Sequence, residues 1–135
     1  MKIFIDSPLL IYLNTVTDPR DRYMYENYYL ELLSKYKVCT DVLVLDELIH
    51  ISKKKYGVPY ELSIDFIESI VLPYINVLEL GEEEYKYASK IIIEHKLKPS
   101  DSLHVGAMLN NGINLIISED KEYDKIKQIK RVWIQ

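Results

Sequence analysis

The spacing of apolar residues changes period along the chain and marks out the elements. Lys2-Ile3-Phe4-Ile5 is a short, almost wholly apolar run, the pattern of a strand buried in a parallel sheet. It stops at Asp6-Ser7-Pro8. Ser7 suits a helix cap and Pro8 a first helical position, so a short helix is expected over Leu9 to Leu13. Asp18-Pro19 opens a longer helix, whose stripe of Tyr25, Tyr28, Tyr29, Leu32, Leu33 and Tyr36 recurs every three or four residues. Val38-Cys39-Thr40 returns to strand pattern. Thr40 or Asp41 then caps a helix running to Tyr56 and ended by Gly57.

The second half repeats this grammar. A helix is expected from Pro59 to Leu72, stopped by Pro73, and then a strand from Tyr74 to Leu80, ended by Gly81. Glu82, Glu83 and Glu84 favour a helix start, and that helix should turn Tyr85, Ala88, Ile91 and Ile92 inward. Another helix begins near Ser100 and ends at Asn111-Gly112. Leu115-Ile116-Ile117 is a buried strand, Glu122 to Gln128 a short helix, and Arg131 to Ile134 a last strand. The order β-α-α-β-α-α-β-α-α-β-α-β predicts an α/β fold: a three-layer α/β/α sandwich around a mainly parallel central sheet. Sites in such sheets lie at the carboxyl ends of the strands.

Composition narrows the function classes. With 135 residues, a single domain over 1–135 is expected. The formal net charge of -4 argues against a protein that grips nucleic acid by bulk positive charge, though not against one that meets it through metal ions. Cys39 is the only cysteine, so no intrachain disulfide and no cysteine-based zinc site is expected. No apolar run reaches the length of a membrane span and no signal peptide is evident, so a soluble cytoplasmic protein without a membrane partner is expected.

Four acids stand where the strand-end rule points. Asp6 follows the first strand, Asp120 follows Leu115-Ile116-Ile117-Ser118-Glu119, Asp101 sits in the first turn of its helix, and Glu47 lies in the helix after the second strand. Each has a plainer alternative, because acids after strands and in first turns often only cap helices. Asp6 lies between a buried strand and an apolar helix, and Glu47 lies among Leu43, Leu45, Leu48 and Ile49 with Asp46 as its solvent-facing neighbour. Carboxylates that converge repel one another, and a shared divalent cation offsets this. Oxygen ligands without cysteine or a histidine cluster favour Mg²⁺ or Mn²⁺ over Zn²⁺.

Four segments in order carry a family resemblance: Ile3-Phe4-Ile5-Asp6-Ser7 with Leu10 and Leu13; Thr40 with Glu47-Leu48; Asp101-Ser102-Leu103-His104-Val105-Gly106-Ala107; and Leu115-Ile116-Ile117-Ser118-Glu119-Asp120 with Tyr123. Together they cover nearly the whole chain, and the chain resembles the PIN-domain ribonucleases, most of all the VapC-type toxins. Pro8 stands where many relatives carry Asn, and Tyr123 replaces a common Phe. The resemblance implies a sheet order of 3-2-1-4-5, with Asp6, Glu47, Asp101 and Asp120 as metal-site acids and Ser118 as an orienting hydroxyl. Glu119 and Asp124 are close enough in sequence to stand in for Asp120. It further implies a Mg²⁺- or Mn²⁺-dependent endoribonuclease cleaving RNA, an antitoxin protein as partner, and a homodimer. The alternatives are a stand-alone PIN nuclease of RNA processing and a non-catalytic PIN-like module that binds RNA or protein.

Other residues are weighed against blander roles. His104 and His50 follow Asp101 and Glu47 by three residues, and each is more simply a packed or hydrogen-bonded histidine than a ligand. His95 suits a helix C-terminus. Lys53, Lys54 and Lys55, or Lys96 and Lys98, could draw in phosphates, but such runs are more often solvated helix ends. The tyrosines at 23, 25, 28, 29 and 36 suit core or protein interface better than base stacking. There is no Gly-rich phosphate loop and no dinucleotide-binding glycine run. Pro8 replaces the second Asp that an aspartyl phosphatase needs, and Lys121 lies too near Asp120 for a receiver domain.

Overall fold

In the computed structural model, which describes residues 1–134, five parallel strands form one sheet in the order β3-β2-β1-β4-β5. The strands are β1 (Lys2–Ile5), β2 (Lys37–Asp41), β3 (Asn76–Leu78), β4 (Leu115–Ile117) and β5 (Lys130–Val132). Six α-helices connect them: α1 (Ser7–Thr15), α2 (Pro19–Lys35), α3 (Val42–Tyr56), α4 (Tyr60–Phe66), α5 (Glu82–His95) and α6 (Pro99–Asn110). Every strand pair is parallel, so the sheet is wholly rather than mainly so. β1 lies at its centre, and Phe4, Ile5, Ile116 and Ile117 are buried on both faces. This is why these runs do not alternate polar with apolar.

The helix boundaries follow local chemistry. Asp18 caps α2 by accepting from the Arg20 and Asp21 amides, and the predicted stripe faces inward, with Tyr29 and Leu32 buried. Asp41, not Thr40, caps α3, while the Thr40 hydroxyl donates to Ile5 O across the sheet. Gly57 closes α3 at φ 71°, a left-handed conformation that glycine adopts without strain.

Several expectations are corrected. The cap of α1 is Asp6, which accepts from the Ser7 amide, so Ser7 is the first helical residue and its hydroxyl is free for another partner. The helix expected to reach Leu72 loses its α-helical geometry at Ile67, and Ile67–Val71 forms a π-helical turn in which Leu72 N–H reaches Ile67 O. Tyr85 is 60% exposed, and Glu84 takes the inward position instead. Glu84 accepts from the Gly81 amide and from Asn110, so α5 presents a satisfied carboxylate to α6 where an aromatic ring was expected. The close approach of those two helices depends on Gly106, where a Cβ would overlap the Glu84 carbonyl. The strands expected over Tyr74 to Leu80 and Arg131 to Ile134 shorten to β3 and β5. The last helix is a 3₁₀ turn over Lys121–Lys125 rather than Glu122 to Gln128. No helix among the described residues is long and apolar enough to cross a membrane.

Candidate active site

β1 and β4 end side by side, with the Asp6 amide donating to Ile117 O at 3.0 Å, and the residues just beyond them build the site. Asp6 Oδ1 accepts from the Ser7 amide at 2.8 Å and Oδ2 from the Ser118 hydroxyl at 2.7 Å. Ser118 Oγ in turn accepts from the Asp120 amide at 3.1 Å, so one hydroxyl ties Asp6 to the turn that carries Asp120. Asp101, in the first turn of α6, is also buried.

Burial pushes the Asp6 carboxyl up to about 6, and the charge of Asp101 adds to the rise. The charge of His104 and the hydrogen bonds from Ser118 and the Ser7 amide only partly oppose it. Burial also raises Asp101, with Asp120 adding and with His104, Lys98 and Tyr123 opposing. Asp6, Asp101 and Asp120 are thus within electrostatic reach through one shared locus, the buried Tyr123 hydroxyl. Burial, with the three carboxylates, drives that hydroxyl's pKa far upward. It is close enough to Asp101 to favour that carboxylate, yet no acceptor meets it at good hydrogen-bond geometry.

Glu47 reaches the site from α3. It is half-buried, and its Oε1 accepts from the Ser7 hydroxyl at 2.9 Å. Asp46 points to solvent, as expected. The two stand-ins considered for Asp120 are engaged elsewhere. Asp124 pairs with Arg131 through both oxygens, at 3.0 and 3.2 Å, and Glu119 accepts from the Tyr12 hydroxyl at 2.6 Å. Asp120 caps the 3₁₀ turn by accepting from the Glu122 amide at 2.9 Å. Among the described residues, no three acidic, histidine or cysteine side chains surround a common point closely enough to hold a metal ion. Glu47 is drawn to Ser7, Asp120 to its own turn and Asp6 to Ser118. These contacts are what a cation would exchange for its own. The donor set fits a hard divalent cation, being all carboxylate and hydroxyl oxygen with two carboxyls destabilised by burial and mutual charge.

Behind Asp6 lies a feature the sequence did not single out as a pair. His104 Nδ1 and Asp41 Oδ2 are 2.6 Å apart with neither side chain exposed. The imidazole packs against Phe4 at 5.5 Å between centroids, and its Nε2, without a hydrogen-bond partner, lies 3.9 Å from Asp6 Oδ1. The hydrogen-bonded histidine favoured from sequence is therefore observed, but its partner lies 63 positions away. Arg131 was also missed; besides Asp124 it donates to Ser118 O at 3.1 Å, bracing the β4 exit. His50 and the lysines of 53–55 are exposed.

The family model described as PIN domain matches residues 3–129. No curated protein sequence matches significantly. Among solved structures, the chain is similar to VapBC2 of Rickettsia felis bound to a promoter DNA fragment (14% identity, 98% of each chain, TM-score 0.74). It is also similar to Mycobacterium tuberculosis VapC20, a toxin that cleaves the sarcin–ricin loop (17% identity, 93% of this chain and 95% of that one, TM-score 0.74). A third is VapBC-1 of nontypeable Haemophilus influenzae (23% identity, 98% of this chain and 97% of that one, TM-score 0.70). At these identities the likeness is one of fold.

Proposed function

The chain belongs to the PIN domain family, and from that premise we propose that it is a divalent-metal-dependent endoribonuclease, the toxin of a toxin–antitoxin pair. The observation that carries this reading is the buried Asp6, held by Ser118 and the Ser7 amide at the carboxyl end of the central strand, with Asp101 beside it. Asp6, Asp101, Asp120 and Glu47 are the residues that would hold Mg²⁺ or Mn²⁺. A cation bound there supplies a lowered water pKa and neutralises charge developing on the phosphate and the leaving oxygen.

The chain's own residues do the rest. Ser118 holds the Asp6 carboxylate by hydrogen bond, with the Ser7 amide on the other oxygen. From the first turn of α1, the Ser7 hydroxyl likewise donates to Glu47. Lys98, close enough to Asp101 to favour its charged form, is a cation at the rim for an incoming phosphate. The substrate class proposed is single-stranded or looped RNA, since a recessed acidic centre cannot reach a duplex groove edge. Cleavage of the sarcin–ricin loop by the Mycobacterium tuberculosis relative supports that class. Such a substrate goes with a cytoplasmic location.

The antitoxin is assigned to the groove of about 560 Å³ between α2 and the α4–π segment, where Leu13, Leu30, Leu33, Phe66, Ile70 and Tyr74 give an apolar bed. The toxin–antitoxin complexes among the fold relatives support a partner of this kind. The chain itself is proposed to pair as a homodimer. Asp101→Asn, checked for a native circular dichroism spectrum, is expected to lose RNA cleavage by at least two orders of magnitude. Full activity in that variant, with Mn²⁺ supplied, would remove the site assignment.

A further inference from the structure

A cleft of about 220 Å³ opens directly beside the acidic centre. Ser7 and Glu47 line it from the site already described, its floor includes aliphatic side chains, and Tyr12, Lys55, Tyr56 and Glu119 supply its aromatic and charged groups. The two aromatic rings are set differently. Tyr12 is immobilised: its hydroxyl donates to Glu119 at 2.6 Å, and its ring stacks on Tyr25 at 5.0 Å between centroids and 23° between planes. Tyr56 closes α3 and is 42% exposed, with Lys55 Nζ over its ring at 5.6 Å. The cleft thus combines aromatic surface turned to water, a carboxylate with one oxygen committed to Tyr12, and an ammonium.

From this juxtaposition we infer that the cleft is a base-binding subsite for the unpaired nucleotide flanking the scissile phosphate. The base packs against Tyr56 and Tyr12, its hydrogen-bonding edge meets Glu119, and Lys55 meets the adjoining phosphate. Aromatic faces accept any base by stacking, so the rings give affinity without sequence. Selectivity comes from Glu119. An ionised carboxylate only accepts hydrogen bonds, so it favours a base edge made of N–H donors. Guanine, with adjacent ring and exocyclic N–H groups, fits best, and uracil, with carbonyls on either side of its single N–H, fits poorly. Continuity with Glu47 and Ser7 places this base next to the phosphate that the acidic centre would attack.

The inference rests on the ribonuclease reading, and the test separates the two. Binding of short single-stranded RNAs, each abasic at a different position, is measured by fluorescence anisotropy with the non-cleaving Asp6→Asn chain. One abasic position should weaken binding about tenfold, and Tyr56→Ala should weaken binding of intact RNA by a similar factor while adding nothing on that abasic RNA. Tyr56→Phe, which keeps the ring, should restore binding. In the cleaving protein Tyr56→Ala should raise KM far more than it lowers kcat, and Glu119→Gln should erase the preference for guanine over uracil at that position. Equal loss on every abasic RNA, or no loss in Tyr56→Ala while the parent binds, overturns the subsite alone. A parent chain that neither binds nor cleaves RNA overturns the ribonuclease reading and the subsite with it.

Discussion

His104 Nδ1 and Asp41 Oδ2 lie 2.6 Å apart, both fully buried, and the other ring nitrogen is turned toward Asp6. Burial alone would lower the histidine's pKa, but the hydrogen bond to Asp41 and the charges of Asp41, Asp6 and Asp101 outweigh it and raise the value. A group whose folded pKa is raised stabilises fully below its unfolded value, near 6.5, and that contribution is lost as pH rises through the folded value. Asp41→Asn or His104→Ala strands the other partner in the core, and either is expected to cost about 3–5 kcal/mol. Urea melts of wild type and His104→Ala should show the gap widest on the acid side and narrowing in alkali. A gap that grows with pH would contradict the assignment.

Asp6 carries the same sign in a lower pH window, because its folded pKa is also raised. Its folded carboxyl holds a proton up to about 6, whereas the unfolded one ionises near 3.8. Native stability therefore falls as pH rises between those values and stays lower above them. Asp6→Asn removes the buried charge, so without metal ions it should be more stable than wild type at about pH 8, by as much as roughly 3 kcal/mol. The two should melt alike in strong acid. A variant less stable than wild type in alkaline, chelated buffer would show that the burial argument fails.

Asp124 gives a control within the same turn. Its carboxylate is committed to Arg131, with the Arg131 side chain 17% exposed and that of Asp124 53%. Asp124→Asn should reduce stability by about 1 kcal/mol or less and leave RNA cleavage near the wild-type rate. Asp120→Asn should do the reverse. Thermal melts and cleavage rates on the two variants decide which acid of this segment belongs to the site.

Gly106 tests the packing that seats Asp101. A methyl group there meets backbone of α5 rather than a movable side chain, so Gly106→Ala should destabilise by about 2 kcal/mol or more. The drop is expected in the melting temperature, with cleavage recovering in proportion to the folded fraction. A melt unchanged from wild type would mean that α5 and α6 part easily.

The elements were legible because their signals are local. Asp18-Pro19, Gly57 and the continuous apolar runs of β1 and β4 each depend on neighbours a few residues away, and each behaves as its local chemistry predicts. The parallel order of the sheet followed from alternation, and the 3-2-1-4-5 sequence of strands from family resemblance. Misreadings arose where a residue had two physically reasonable partners. Ser7 can cap a helix, but Asp6 reaches the same amide, and the freed hydroxyl goes to Glu47, 40 positions away. Tyr85 and Glu84 compete for the inward face of α5, and the carboxylate wins because the Gly81 amide and Asn110 satisfy it. The Asp41–His104 and Tyr12–Glu119 contacts span 63 and 107 residues, and no spacing in the sequence encodes them.

In the proposed function, the acids around Asp6 hold a divalent cation that RNA cleavage requires. The most direct measurement is the cleavage rate of a looped, single-stranded RNA by chelator-stripped wild type as Mn²⁺ is titrated in, with Asp6→Asn run in parallel. Cleavage absent in chelator, rising with Mn²⁺ to saturation in wild type and flat throughout in Asp6→Asn, is the predicted result. Cleavage that persists in chelator, or a full Mn²⁺ response in Asp6→Asn, would contradict it.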